Sequence, residues 1–188
     1  MMIQTAKKTY TFAEYLEYDD GTDNKHELVN GEIITMPVAS GIHALIMVFL
    51  FKVFDREITR LGLKWGVMPG NIGVQTGTNK SRVPDLVILT EMQLQLIRNM
   101  TSAVLQNPPI LALEIVSNNA DDDYRYKRSE YAVREIPEYW IVDPHLEKVI
   151  VLILENGFYE STEFTGNQVI NSPTFPDLKL TVEQVLKA

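Results

Sequence analysis

Two acidic residues sit where a carboxylate needs a physical reason to be. Pro84-Asp85 heads the apolar run Leu86-Val87-Ile88-Leu89, and Glu114 interrupts Leu111-Ala112-Leu113-Glu114-Ile115-Val116. Strand alternation sends Leu111, Leu113 and Ile115 to one face and Ala112, Glu114 and Val116 to the other. A lone carboxylate buried on such a face must take up a proton, find a basic partner or donor, or ligate a cation. Two carboxylates on neighbouring strands can hold a hard divalent ion, Mg²⁺ or Mn²⁺, that keeps some of its waters. Such an ion polarises a water and neutralises charge on a phosphate, and phosphodiester hydrolysis needs both effects.

A positive side chain would complete the set. Lys127 and Tyr131 lie four apart in a helix expected over residues 121–134, with Tyr124 three before Lys127, so the three share a face. Turned toward the Glu114 strand, a Lys127 ammonium positions the water or stabilises the phosphate. His26, Glu27, Glu32 and His43 are further polar candidates for a shared cleft. Each group also has an ordinary structural explanation. Pro-Asp pairs form turns at strand ends, and buried acids pair with arginines. Arg125 and Arg128 flank Lys127 as on a solvated basic face, and histidines are often partly buried without function.

The elements that must position these groups are readable too. Thr11 is an N-cap for a helix over 12–18, with Phe12, Tyr15 and Leu16 on one side. A polar turn at 19–24 contains Gly21. Residues 26–36 form two short strands about Asn30-Gly31, a pair that favours a type I′ hairpin. Ser40 opens a long helix reaching Leu61 and closed by Gly62. Leu45, Val48, Phe49, Phe51, Val53, Ile58 and Leu61 are its expected buried face. Residues 64–75, punctuated by Pro69, Gly70 and Gly73, are a strand pair or one irregular strand. Strands at 83–89 and 110–117 bracket a short helix or ordered loop at 90–100. Beyond the 121–134 helix come strands at 139–143, 148–154 and 158–164, with a turn at Asp143-Pro144. Thr181 and Gln184 are spaced as a capping box for a last helix over 181–187. The sum is a mixed α/β (α+β) layering, one central sheet with helices on its faces.

The 188 residues fit one domain spanning 1–188, and 45% hydrophobic with 22% charged residues is ordinary for a folded chain. No repeat or linker is visible. The absence of cysteine excludes disulfides, thiolate zinc sites and cysteine nucleophiles, and fits a reducing compartment. Residues 1–10 are polar, carry Lys7 and Lys8, and lack the apolar stretch of a secretory signal. The longest apolar run, 42–51, is broken by His43 and is shorter than the roughly 18 residues a membrane span needs. A cytoplasmic protein with no membrane partner is expected. The formal net charge of −8 weighs against non-specific DNA binding, which relies on a basic surface. Acids gathered at a metal site would add negative charge that bound cations offset.

Taken in order, several pieces of the chain resemble a known family. They are His26-Glu27-Leu28-Val29-Asn30-Gly31-Glu32, His43, Val83-Pro84-Asp85, Leu113-Glu114-Ile115-Val116-Ser117, Lys127 with Tyr131, and Pro137-Glu138-Tyr139-Trp140-Ile141-Val142-Asp143-Pro144. Their succession resembles the Uma-two-type restriction endonucleases of the PD-(D/E)XK nuclease superfamily. The resemblance implies a restriction-endonuclease-like fold, a central mixed β-sheet flanked by helices. It implies a Mg²⁺- or Mn²⁺-dependent endonuclease acting on DNA. It implies Asp85 and Glu114 as catalytic metal ligands, with Glu27 joining the metal shell and His43 near the site. The superfamily's lysine follows its acidic ligand by two positions, where this chain has Val116. The resemblance therefore implies that Lys127 is supplied by the following helix, with Tyr131 beside it. A homodimer is expected, since two sites cut two strands most simply. The acidic balance and Val116 support a competing function, a catalytically silent binding or assembly protein that retains the fold. A two-carboxylate glycosidase is a third reading, but Trp65 and Trp140 are the sole tryptophans and form no clear sugar platform.

Overall fold

The protein is described here by a computed structural model covering residues 8–117 and 119–188. Residues 1–7, on which the expectation about a secretory signal largely rests, lie outside the described residues.

Local chemistry decides most element boundaries. The Thr11 hydroxyl accepts from Glu14 N while the Glu14 carboxylate reaches back to Thr11 N, closing a capping box on α1 (Phe12–Leu16). Asn30 and Gly31 take φ of 52° and 84° between β1 (His26–Val29) and β2 (Glu32–Thr35), the left-handed pair that a type I′ turn requires. Ser40 caps α2 (Gly41–Arg60), and Gly62 at φ 65° follows its last turn. Thr90 and Thr181 close capping boxes with Gln93 and Gln184 on α3 (Glu91–Ile97) and α5 (Val182–Leu186).

Two sheets result. The remaining strands are β3 (Gly66–Pro69), β4 (Gly73–Gly77), β5 (Lys80–Arg82), β6 (Leu86–Leu89), β7 (Val104–Leu105), β8 (Leu111–Ile115), β9 (Glu138–Asp143), β10 (Lys148–Glu155) and β11 (Phe158–Thr165). The central mixed sheet has the order β11-β10-β9-β8-β6-β3, with β8 and β9 parallel and its other neighbours antiparallel. A second sheet, β2-β1-β5-β4-β7, adds to the expected one. Its strands β5 and β7 have three and two residues, too short for periodicity to reveal. The strand expected over 83–89 starts only at Leu86. Arg82 ends β5 in one sheet and Leu86 begins β6 in the other, and Pro84 between them has no N–H for a ladder.

Alternation along the central strands sorts side chains into two cores. Leu86, Ile88, Leu111, Leu113, Ile115, Trp140 and Val142 pack with Ile46, Leu50, Phe54 and Ile58 of α2 and with Val182 and Val185 of α5. The α2 contact is thus a stripe at four-residue spacing. Leu45, Val48 and Leu61, expected in the buried face, are exposed. The apolar residues of α2 cover more of its circumference than one sheet contact can bury. On the other face Val87, Leu89, Ala112, Val116, Tyr139 and Ile141 pack with Ile72, Val74 and Leu105 and with Tyr131 of α4 (Arg128–Val133). Parallel strands need a crossover, and the β8–β9 connection supplies it. The helix expected over 121–134 forms in two parts, a π-helical turn at Asp122–Lys127 and then α4.

Arg82, 2% exposed, ties the second sheet to this crossover. Its Nε and Nη2 donate to Glu130 of α4 at 2.8 and 3.1 Å, and its Nη1 donates to Glu27 of β1 at 3.0 Å and to Asp122 at 3.3 Å. Thr76 and Lys80 donate to Glu130 as well, at 2.9 and 3.2 Å. Burial alone pushes the Glu130 carboxyl up, but Arg82 outweighs it and holds that group below its ordinary value.

Arg82→Met leaves two buried carboxylates without their guanidinium, and a loss of about 3–5 kcal/mol near neutral pH is expected. A carboxyl with a depressed folded value stabilises the protein above its ordinary 4.5 and loses that contribution as pH falls through the folded value. The gap between wild type and variant therefore narrows on moving from about pH 7 to about pH 4. Urea unfolding at both values measures it, and an equal gap contradicts the account.

Candidate active site

Asp85 immediately precedes β6 and Glu114 lies in β8. The antiparallel register pairs Leu86 with Leu113 and Val87 with Ala112. Continued by one residue, it sets Asp85 opposite Glu114 on the face of Val87 and Ala112, and such cross-strand neighbours have Cβ atoms about 5 Å apart. Asp85 Oδ2 accepts from Ile115 N at 2.7 Å and meets His43 Nε2 at 3.0 Å. Asp85 Oδ1 has no hydrogen bond among the described residues. His43 arrives there in the first turn of α2, where its own N–H donates to the capping Ser40 hydroxyl. The Asp85 hydrogen bond lifts His43 above its ordinary value of 6.5, against the opposing effect of burial. His43 Nδ1 is buried and has no hydrogen-bond partner among the described residues.

Glu114 is 2% exposed and Lys127 7%. Lys127 Nζ donates to Glu114 Oε2 at 2.8 Å and stands 3.1 Å from Asp123 Oδ1. The other Glu114 oxygen accepts from Tyr131 OH at 2.6 Å. Burial raises the Tyr131 phenol well above 10, so it stays a donor. Val116 instead packs among Tyr131, Tyr139 and Ile141 in the apolar layer, so the amine beside Glu114 comes from the crossover.

The electrostatics of the cluster are unbalanced. Burial lowers the affinity of Lys127 for its proton, but Glu114, Glu27 and Asp123 overcome that and hold the ammonium charged. Glu114 and Asp123 are nevertheless raised, first by burial and in spite of Lys127, with Asp85 and Asp123 adding to the rise at Glu114 and Asp85 and Asp122 to that at Asp123. One ammonium serves several acids, so the lysine is held charged while the carboxyls are pushed up. Excess negative charge at oxygen ligands is what a hard divalent cation relieves.

Among the described residues no three His, Cys, Asp or Glu side chains form a group able to hold a metal ion. The donor set fits a cation of a particular kind. Mg²⁺ is commonly held by one or two carboxylates, its own waters and substrate phosphates rather than by a full protein cage. Asp85 with its unengaged Oδ1, and Glu114 opposite, meet that need.

The structure brings Asp85, Glu114, Lys127, His43 and Tyr131 into one connected cluster. Glu27 stands close enough to Lys127 to raise its pKa, yet both its oxygens are taken, by Arg82 and by Val83 N at 2.9 Å. As it stands it buttresses Arg82, with both oxygens engaged as those of Glu114 are. His26 and Glu32 stay in the hairpin, His26 near Asp20 and Glu32 paired in register with Val29. Tyr124 leaves the face it was expected to share with Lys127, and its OH donates to Asp143 Oδ2 at 2.7 Å. The i→i+5 bonds of a π turn widen the spiral, so three-residue spacing no longer marks one face. Asp123 and Arg82 were missed. Asp123 lies four before Lys127, a spacing that pointed to it; Arg82 carried no signal beyond its place next to the Asp85 strand.

A family model named Uma2 and described as "Putative restriction endonuclease" matches residues 12–183. The chain is 25% identical over 151 residues to "Uncharacterized protein sll1609" of Synechocystis sp. (strain ATCC 27184 / PCC 6803 / Kazusa), covering 79% of this chain and 83% of that one. It also resembles the crystal structure of "a putative nuclease belonging to DUF820" from Anabaena variabilis ATCC 29413, with TM-score 0.76 and 18% identity over 94% of this chain and 97% of that one. That likeness is one of fold, and it makes the fold restriction-endonuclease-like. The family match takes in both carboxylate strands, the Lys127 crossover and the strands that follow, and the chain belongs to the Uma2 family of restriction-endonuclease-like proteins.

Proposed function

We propose that the protein is a metal-dependent DNA endonuclease that hydrolyses phosphodiester bonds. The convergence of Asp85, Glu114 and Lys127 at one buried point of the central sheet carries this reading, in a chain whose family is one of restriction endonucleases. Asp85 and Glu114 are the residues to hold Mg²⁺ or Mn²⁺. When bound, the cation supplies an activated water and neutralises charge on the scissile phosphate. The chain's own groups do the rest. His43 and Ile115 N fix the Asp85 carboxylate, and Tyr131 fixes Glu114. Lys127 orients the attacking water and stabilises the charge that grows on the phosphate. Asp123 keeps the ammonium in place when the Glu114 oxygens turn to a ligand. With a net charge of −8, DNA affinity would come from this local field more than from the overall surface. A homodimer would place two such sites on two strands, and a reducing cytoplasm suits a chain without cysteine.

The second reading, a silent binding or assembly protein, draws on one observation: Lys127 and Tyr131 already satisfy both oxygens of Glu114. Calorimetry that finds no divalent-ion binding by a well-defined dimer favours it.

Purified wild type is expected to nick supercoiled plasmid with Mg²⁺ or Mn²⁺. Asp85→Ala, Glu114→Gln and Lys127→Met should each lower the rate about 100-fold or more. Nicking by Asp85→Ala equal to wild type would assign the activity to a contaminant. Asp123→Asn should slow nicking about tenfold or more through the loosened ammonium, with Mg²⁺ affinity by calorimetry unchanged. A matching loss of metal affinity would make Asp123 a ligand instead.

A further inference from the structure

We propose that a cavity beside the Asp85 strand head takes one unstacked nucleotide of the DNA, its base inside and its phosphate on Lys25; this rests on the endonuclease reading above. The cavity has a volume of about 330 Å³ and is lined by Tyr15, Tyr18, Asn24, Lys25, His26 and Asn71, over a floor that includes Gly70. That size falls in the range of small-ligand sites.

Position is the first support. Gly70 has φ +50°, and its N–H donates to Asp85 O at 2.8 Å. A Cβ placed at Gly70 would lie 3.4 Å from Lys25 Nζ and 3.8 Å from Asp85 O. Lys25 and the catalytic strand head therefore flank the same bare stretch of backbone. A longer side chain there would stand between them. A DNA strand with one phosphate at Asp85 would have to pass over Gly70 to bring its neighbouring nucleotide to this cavity.

Chemistry is the second support. Tyr18 is held edge-on between Tyr10 and His26, with ring centres 5.5 and 5.2 Å away, and offers a fixed aromatic surface. Bases stack on such surfaces whatever their identity. The Asn24 and Asn71 amides make no side-chain hydrogen bond within the described structure, and an amide matches the donor and acceptor edge of a base. Among the described residues Lys25 has no ion pair, in a chain with 25 acidic residues against 17 lysines and arginines. An unpaired ammonium beside a nuclease site suits a phosphate.

The test is fluorescence anisotropy without divalent metal, using a labelled duplex with a one-nucleotide flap and a fully paired duplex of the same sequence. Wild type should bind the flapped duplex about fivefold or more tightly, the worth of one stacked base. Tyr18→Ala and Asn71→Ala should erase that preference. Asn71 is exposed, so its variant separates lost recognition from lost folding. Lys25→Ala should weaken binding and reduce the salt slope by about one. Equal affinity of wild type for both duplexes, or variants that keep the preference, overturns the proposal. If plasmid nicking persists in that case, the endonuclease reading stands while the nucleotide site falls. If wild type neither binds either duplex nor nicks plasmid, both fall.

Discussion

The ammonium of Lys127, shut in between Glu114 and Asp123, is the constraint around which this molecule is arranged. A charge out of water is tolerable when opposite charges and hydrogen bonds replace the water. That requirement reaches well beyond the three residues. Glu114 must face the crossover, so the strand alternation of β8 has to be kept. The crossover must lie flat on the sheet, so Tyr131 and Ile136 are buried against Tyr139. Its first turn must be wide enough to aim Asp123 and Lys127 at one point, which a π turn accomplishes.

Two cationic centres, Lys127 and Arg82, share a common ring of acids. Glu27 binds Arg82 directly, yet its charge is felt at Lys127. Asp122 belongs to the Arg82 side and Asp123, the next residue, to the Lys127 side. The scaffold that joins the second sheet to the crossover is therefore electrically continuous with the cluster it supports. This explains how a chain with so acidic a composition can keep a lysine buried and charged. The acids are spent locally and in alternation with the few cations that are also buried.

Much of this was legible in the residue order. The alternation in Leu111-Ala112-Leu113-Glu114-Ile115-Val116 assigns faces by itself, and the two cores follow it. Caps and the Asn30-Gly31 turn were readable because they depend on neighbours in sequence. Lys127 was found through the resemblance together with helical spacing. What stayed hidden depends on distance in the chain. Arg82 meets Glu130 across 48 positions, and no local rule links them. Asp123 sits in the run Asp121-Asp122-Asp123, which reads as ordinary acids at a helix start. The second sheet rests on strands too short to show a period. The face of α2 was misjudged because nearly every side of that helix carries apolar residues, so composition could not choose among them.

The chain changes sheets through only three residues, Val83, Pro84 and Asp85. The Asp85 carboxylate thus sits at the joint between the two sheets. Its backbone is anchored to one layer on its upstream side and to the other on its downstream side. Ile72, Val74 and Leu105 pack in one core with Val87 and Ala112, which stand two positions along their strands from Asp85 and Glu114.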